Sequence, residues 1–558
     1  MNTTARTVGQ VVIDALRAQG IRRAFCVPGE SYLGILEAVR ELGDGFDLVV
    51  CRHEGGAAYM AEASARMDGL PGVCMVTRGP GACNASIGIH TARHEGTPML
   101  LLVGDVTSGS KSQAAFQDID LPGFYGSMAK QVFQVDHAAS VETVMRQAFR
   151  VAMSGKPGPV VIAFAEDVQF ESVTPRGILP ETPQPIAPAA SLVSQVLARL
   201  RAAKAPLLLL GGTQWPEAAR RDVADFAQAM QLPVASTFRR LELFDNESPC
   251  YVGSIGVVTP PALAGYLEQA DVVVLLGGQL GEIETARYSR LTSVSAQRFF
   301  VQVGPQIEAL GLALQPNLAI TSDMPCFCAA LASAPALAAP CWAGTTRELR
   351  AAFEQFRQPV QFAGKVNPAQ AVMALSQSLP GGMVCSLGGG NYTHFVLRHH
   401  RFRPGDVLLA PICAPMGYSV PAAIAAAIAD PQREVLAYTG DGCFLMNAQE
   451  LVTAVQRKLR LSIVILNNGI YGAIRMHQEL KYPGRPIATT LHNPDFLKYA
   501  EAMGLPARRV EDHGQLVATW HALRASTDGP FLIELVTDPD IISPAKLIAA
   551  ATAAPSGS

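Results

Sequence analysis

Charge is scarce in this chain of 558 residues: Asp, Glu, Lys and Arg make up 16% of it, and the formal net charge is −3. So thin and balanced a charge leaves no electrostatic footprint for nucleic acid or an anionic membrane surface. With 49% of residues hydrophobic, it also argues against extended disorder and fits an oligomer with buried interfaces. Long apolar runs are missing too. No stretch approaches the roughly 18 residues that span a bilayer. The longest, AAIAAAIA from Ala422, is alanine-rich and reads as a buried helix. The N-terminal MNTTARTVGQVVIDALRAQG lacks the uninterrupted apolar core of a secretory signal. The 11 cysteines stand singly, several in apolar runs such as those holding Cys74 and Cys385. The close pair Cys326 and Cys328 has the wrong spacing for a zinc knuckle. All are expected to be reduced and buried, and the protein cytoplasmic.

What is abundant is a rhythm of short apolar strands and helices. Val8, Val11, Val12 and Leu16 share a helical face. Strands are predicted at 23–27, 47–51, 72–77, 98–104 and 159–164, then at 206–212, 232–237 and 270–278, then at 383–388, 434–440, 461–468 and 530–536. Continuous apolar strands alternating with helices imply parallel sheets covered on both faces. TPRGILPETPQPIAP (174–188) carries five prolines and reads as a linker. The Ala/Pro-rich segment 332–344 breaks the rhythm again. At about 150 residues per domain, the expected architecture is α/β, with three doubly wound parallel-sheet domains at 1–173, 189–335 and 366–546. The first and last share a similar rhythm. The Ala/Ser/Gly-rich tail after Lys546 is expected to fray.

The most informative stretch reads GDG (440–442), 24 residues, then NN (467–468). GDG ends a strand and opens a helix, CFLMNAQELVTAV. Glycine admits a phosphate close to the backbone, and a helix N-terminus offers free N–H groups. Asp441 adds a hard oxygen, and Asn468 ends the next apolar strand. A carboxylate, an amide oxygen and diphosphate oxygens compose the octahedral site that Mg²⁺ prefers. Alone, GDG would serve equally as an ordinary strand–turn–helix bend.

GDG–24 residues–NN resembles the cofactor motif of thiamine-diphosphate enzymes. The resemblance implies Asp441 and Asn468 as side-chain ligands of Mg²⁺ and the carbonyl of Ile470 as a third, with Gly440, Gly442, Cys443 and Tyr471 around the diphosphate. It extends through nearly the whole chain to acetolactate synthase and its relatives. It is carried by VPGE (27–30), RHEGGAAYMAE (52–62), VTRGPGACN (76–84), AFQD (115–118), KPGPVVI (156–162) and PMGYSVPAAI (415–424). By this resemblance the three domains are pyrimidine-binding, middle and diphosphate-binding. Glu54, by itself a first-turn helix carboxylate, becomes the partner of the aminopyrimidine N1′ nitrogen, doing acid–base work through the cofactor. Gln117 lies on the substrate side, and Met416 holds the cofactor bent. Pro28, Gly29, Asn84 and Ala414 join the cofactor set. The implied partners are a small 2-oxo acid and a second copy of the chain, in a homodimer or homotetramer with active sites between subunits.

The chain departs from acetolactate synthase at several positions. In the diphosphate loop GGGNYTHF (388–395), Gly390 is followed by Asn391 and Tyr392 where the family has Gln and His. His477 stands for a tryptophan and Glu166 for a lysine. Gly304 stands where an acidic residue that goes with FAD is expected, so FAD is not expected. The leading expectation is an acetolactate-synthase-like carboligase. The alternatives are a 2-oxo acid decarboxylase releasing an aldehyde and a non-catalytic cofactor-binding paralogue, against which the Glu54–Asp441–Asn468 set argues. A nicotinamide dehydrogenase would need Gly-x-Gly-x-x-Gly after the first strand, where the chain has VPGESY.

Overall fold

The fold is taken from a computed structural model that describes residues 5–547 except 112, 178, 182–183, 214, 292–297, 363–365 and 545. The tail after 547 lies outside the described residues. Three six-stranded parallel sheets form the frame. The first holds β1 (Arg23–Cys26), β2 (Asp47–Val50), β3 (Gly72–Val76), β4 (Met99–Asp105), β5 (Gln131–Val135) and β6 (Pro159–Ala165), in the order β2-β1-β3-β4-β6-β5. The middle sheet holds β7 (Pro206–Leu210), β8 (Val234–Ser236), β9 (Tyr251–Ser254), β10 (Val272–Leu276), β11 (Phe299–Gly304) and β12 (Leu318–Thr321), in the order β9-β8-β7-β10-β11-β12. The last holds β13 (Val384–Leu387), β14 (Val407–Leu409), β15 (Val435–Gly440), β16 (Leu461–Asn467), β17 (Ala507–Val510) and β18 (Phe531–Val536), in the order β14-β13-β15-β16-β18-β17. First and last sheets therefore have the same topology, and the middle one differs.

Central strands are apolar on both faces because helices cover both. Leu207 to Leu210 and Val272 to Leu276 are buried throughout, at about 1.5–3 kcal/mol of burial per large aliphatic side chain. The helices that matter for the site are α1 (Glu54–Asp68), α2 (Gly79–Glu95), α3 (Tyr392–His399), α4 (Ser419–Ala429), α5 (Asp441–Phe444) and α6 (Gly472–Lys481). The alanine run forms α4, buried nearly all round, and it packs on the alanine-rich α1 within one shared core. Small side chains allow that close approach. The entry to α1 is fixed from the last sheet's side: the buried Glu450 carboxylate accepts the N–H groups of Arg52 (2.9 Å) and His53 (3.0 Å).

The three sheets meet at one buried carboxylate. Glu95, the last residue of α2, accepts from Arg66 of α1 (3.3 Å), from Arg240 after β8 (2.6 Å) and from the N–H of Ile412 after β14 (2.5 Å). These charge-assisted bonds compensate a carboxylate that burial would otherwise keep protonated, and together they hold the Glu95 carboxyl below its ordinary range.

Two expectations need correction. After GDG the chain does not run on as one helix: α5 stops at Phe444, and a turn separates it from a helix at Leu451–Gln456. The break lets the Asn447 amide donate to the Gly417 carbonyl (3.0 Å). All 11 cysteines are free, but Cys83 and Cys341 are exposed and Cys326 and Cys413 half-buried. Those four lie on helices and loops outside the apolar strands.

The described residues of 174–188 form neither helix nor strand. No helix among the described residues is long and apolar enough to cross a membrane.

Candidate active site

The candidate residues lie past the C-terminal ends of parallel strands, where helix N-termini and loops leave backbone groups free. β15 ends at Gly440, and Asp441 opens α5. β16 lies beside it, with Leu466 opposite Gly440, so Asn467 and Asn468 emerge next to Asp441. Asp441 Oδ2 accepts the Gly469 N–H (3.0 Å) and the Asn493 amide (2.7 Å). Asn493 also donates to Asn467 Oδ1 (3.0 Å), and Asn467 in turn donates to Glu534 (2.8 Å). The first Asn of the NN pair is thus an internal brace, and Asn468 faces the turn, its Oδ1 3.3 Å from the Ile470 N–H. Burial raises the Asp441 carboxyl above its usual range, with the Asn493 bond the largest opposing effect.

No group of three His, Cys, Asp or Glu side chains among the described residues is arranged to hold a metal ion. The Asp441 corner offers one carboxylate and neutral oxygens, a set that fits Mg²⁺ completed by phosphate oxygens and does not fit zinc.

Two loops wall this corner. Gly388 to Gly390 follow β13, and 411–417 follow β14. A side chain at Gly389 would place its Cβ 2.3 Å from the Ala414 carbonyl, so only glycine lets the loops touch backbone to backbone. Ala414 takes a left-handed φ of +48°. Tyr392 turns inward: its hydroxyl accepts the Gly388 N–H (2.8 Å) and lies 3.6 Å from Cys443 Sγ. Cys443 Sγ in turn accepts the Gly417 N–H (3.2 Å). Tyr392 and Cys443 therefore brace the loops from beneath. The Tyr471 ring lies across Gly442, whose Cβ would sit 2.6 Å from it. Met416 is half-buried against the last core, and its carbonyl lies 3.4 Å from the Tyr59 hydroxyl of α1. Asn391 is buried beside α6, its amide 4.0 Å from Met476 Sδ. His477 of the same helix is exposed. Burial, with Arg239 and His477 adding, lowers His394 of α3 to about 4.

The second cluster edges the first sheet. Glu54 opens α1 and accepts from the exposed Asn84 amide of α2 (2.9 Å). Pro28 is exposed after β1, and Gly29 packs on Thr77 after β3. Gln117 holds a left-handed φ of +62°, and its carbonyl abuts Gly79. Arg78 bridges Glu166 (2.9 Å) and Glu30 (2.5 Å) and lies over the exposed Phe116 ring. The substitution Glu166 therefore has a partner on the same rim, which no motif announced.

Within one chain the two carboxylates share no hydrogen-bond partner among the described residues. Among the described residues, the Glu54 carboxylate meets only first-sheet partners and the Asp441 carboxylate only last-sheet ones. Sequence reasoning missed Asn493 and Arg239. Both come from loops without a motif, although an Asn past the NN pair and a doubled arginine after a strand are visible signals.

The middle sheet has a cavity at its own strand ends, bounded by Gly212, Gly277, Gly304, Lys156 and Arg240. It lies where strand order reverses between β7 and β10. Gly304 ends β11 there without a carboxylate.

Comparison with known proteins assigns all three sheets to one family. Residues 6–124 match the thiamine pyrophosphate enzyme N-terminal TPP binding domain, 193–331 the central domain and 388–535 the C-terminal TPP binding domain. The chain is 28% identical to the acetolactate synthase isozyme 2 large subunit of Escherichia coli (strain K12), over 95% of each chain. It is 27% identical to an acetolactate synthase of Bacillus subtilis (strain 168), over 95% of this chain and 93% of that one.

Proposed function

The chain belongs to the thiamine pyrophosphate enzymes and is acetolactate-synthase-like along nearly its whole length, and from that premise we propose that it is a carboligase that decarboxylates a 2-oxo acid and joins the remainder to a second carbonyl compound. Thiamine diphosphate, when bound, supplies a carbon nucleophile for the 2-oxo acid carbonyl and takes up the electrons left by departing CO₂.

The residues divide the rest of the work. Asp441, the Asn468 amide oxygen and the Ile470 carbonyl hold Mg²⁺. Gly390, Asn391, Gly440, Gly442, Cys443 and Tyr471 surround the diphosphate, with Tyr392 bracing the loop. Ala414 and Met416 flank the bent cofactor from one side and Pro28, Gly29 and Asn84 from the other. Glu54, steadied by Asn84, holds a proton at N1′ of the aminopyrimidine. Gln117 meets the substrate. The observation that carries this reading is the Asp441 corner, a buried carboxylate beside neutral oxygens at the ends of two adjacent parallel strands.

A second copy of the chain completes the site. Glu54 and Asp441 do not meet within one chain. Exposed apolar side chains border both clusters: Ile87 one turn past Asn84, and Leu445 and Met446 just after α5. The second substrate is polar or an aldehyde. His477 offers a small polar surface, and the Arg78 charge is already taken by two carboxylates.

The test is incubation of holoenzyme with a panel of 2-oxo acids, with CO₂ release followed and products separated by mass spectrometry. 2-Hydroxyketones support ligation, aldehydes alone favour simple decarboxylation, and no CO₂ from any acid overturns both.

A further inference from the structure

Arg239 is the least expected residue behind the candidate diphosphate loop. It follows β8 in the middle sheet, yet its guanidinium reaches into the last one. Nη1 donates to the Pro411 carbonyl (2.9 Å) and Nη2 to the Gly388 carbonyl (2.8 Å). These carbonyls belong to the two loops that wall the Asp441 corner. The side chain is 2% exposed, and its backbone is held at a left-handed φ of +60°, a conformation a bulky residue keeps only where its surroundings impose it.

Two physical consequences follow. Among the described residues, Arg239 forms no ion pair; the negative charge of Glu95, which it feels, is already shared by Arg66 and Arg240. A buried guanidinium hydrogen-bonded to carbonyls, with the Phe238 ring 5.2 Å away, has no carboxylate of its own, a costly state in the empty protein. Moreover, the C=O and N–H of a trans peptide point in opposite directions, and no peptide bond among the described residues is cis. Fixing the Pro411 carbonyl turns the Ile412 N–H the other way, onto Glu95. Fixing the Gly388 carbonyl likewise turns the Gly389 N–H away from Arg239.

We infer that Arg239 is a positioning residue for the diphosphate: it orients the Gly388–Gly389 peptide and supplies, from the middle sheet, the positive charge that an anionic ligand in front of the loop compensates. The inference rests on the proposed cofactor site, and it gives the middle sheet a part in cofactor binding that needs no ligand of its own.

The experiment titrates thiamine diphosphate with Mg²⁺ into wild type, Asp441→Ala, Arg239→Met and Arg239→Lys by calorimetry, beside the melting temperature of each protein without cofactor. Arg239→Met is expected to weaken binding at least about tenfold and to leave the melting temperature of the empty protein unchanged or raised. That sign is the one a merely structural arginine would not give. Arg239→Lys, which keeps the charge but reaches one carbonyl, is expected to bind with intermediate affinity. Wild-type affinity in Arg239→Met, or a loss matched by a lowered melting temperature of the empty protein, overturns the inference. If the Met variant does not fold, wild-type affinity in the Lys variant overturns it. Failure of the wild type itself to bind the cofactor, or unchanged binding in Asp441→Ala, would instead remove the cofactor site on which the inference stands.

Discussion

Acid should destabilise the last sheet through two buried histidines that resist protonation while the chain is folded. His400, just after α3, is 2% exposed, its ring 4.8 Å from that of Phe402 and 6.0 Å from that of Tyr438. Neither ring nitrogen has a hydrogen-bond partner. Burial, with Arg357 and Arg403 adding, lowers it to about 3. Burial lowers His399 to about 3 as well; its Nδ1 lies 2.8 Å from the Arg357 carbonyl, which requires the proton on Nδ1. Above pH ~6.5 both states carry neutral rings and neither histidine affects stability. Below it the unfolded chain takes up protons that the folded one refuses, so stability falls as pH falls, down to the folded value near 3. At about 1.4 kcal/mol per pH unit, each ring costs about 2 kcal/mol at pH 5, and the pair about 4, against a typical total of ~5–15 kcal/mol. His400→Leu conserves volume and removes one of the two. We expect its urea midpoint to match wild type at pH 7.5, with a difference below about 1.5 kcal/mol. At pH 5 it should exceed wild type by about 2 kcal/mol. Far-UV circular dichroism across urea gradients at both pH values reads this directly. A gap between wild type and variant that stays constant from pH 7.5 to 5 refutes the reasoning.

Three further outcomes are expected. Asp441→Ala should abolish Mg²⁺-dependent binding of thiamine diphosphate, and calorimetry showing unchanged affinity would sink the metal assignment. Glu54→Gln should bind the cofactor yet slow exchange of its C2 proton by about 10²–10⁴-fold, the usual size of an acid–base contribution; deuterium exchange at wild-type speed in NMR speaks against that role. Because β11 ends in Gly304 with no carboxylate, the purified protein should be colourless, and a flavin absorbance band at near-stoichiometric occupancy would contradict this.

The strands legible in the sequence are those with helices on both faces, where burial demands an uninterrupted apolar run. Six strands escaped: β5, β9, β11, β12, β14 and β17. All but β11 are sheet edges, with a neighbouring strand on one side only. Gln131 and Gln134 of β5 and Arg508 and Arg509 of β17 point to solvent, so their polarity reads as loop. The same division holds in the site. Asp441, Asn468 and Glu54 are legible because their chemistry is tied to strand ends and to a fixed spacing. Asn493 and Arg239 act through tertiary contacts across 52 and 149 positions of chain, and no local pattern encodes contacts at that range. The inward turn of Tyr392 was equally hidden, since a hydroxyl that can reach a phosphate can also cap a neighbouring N–H, and only packing decides.

Glu95 changes what the linker between the first and middle sheets is for. One carboxylate gathers a donor from each of the three sheets' surroundings, and parting the first sheet from the middle one takes the buried Arg240 away from its carboxylate. The proline-rich tether at 174–188 is therefore not all that joins the first sheet to the rest. Cut there, the molecule is expected to stay together as a nicked particle, and the larger piece made alone would bury Arg240 without its carboxylate.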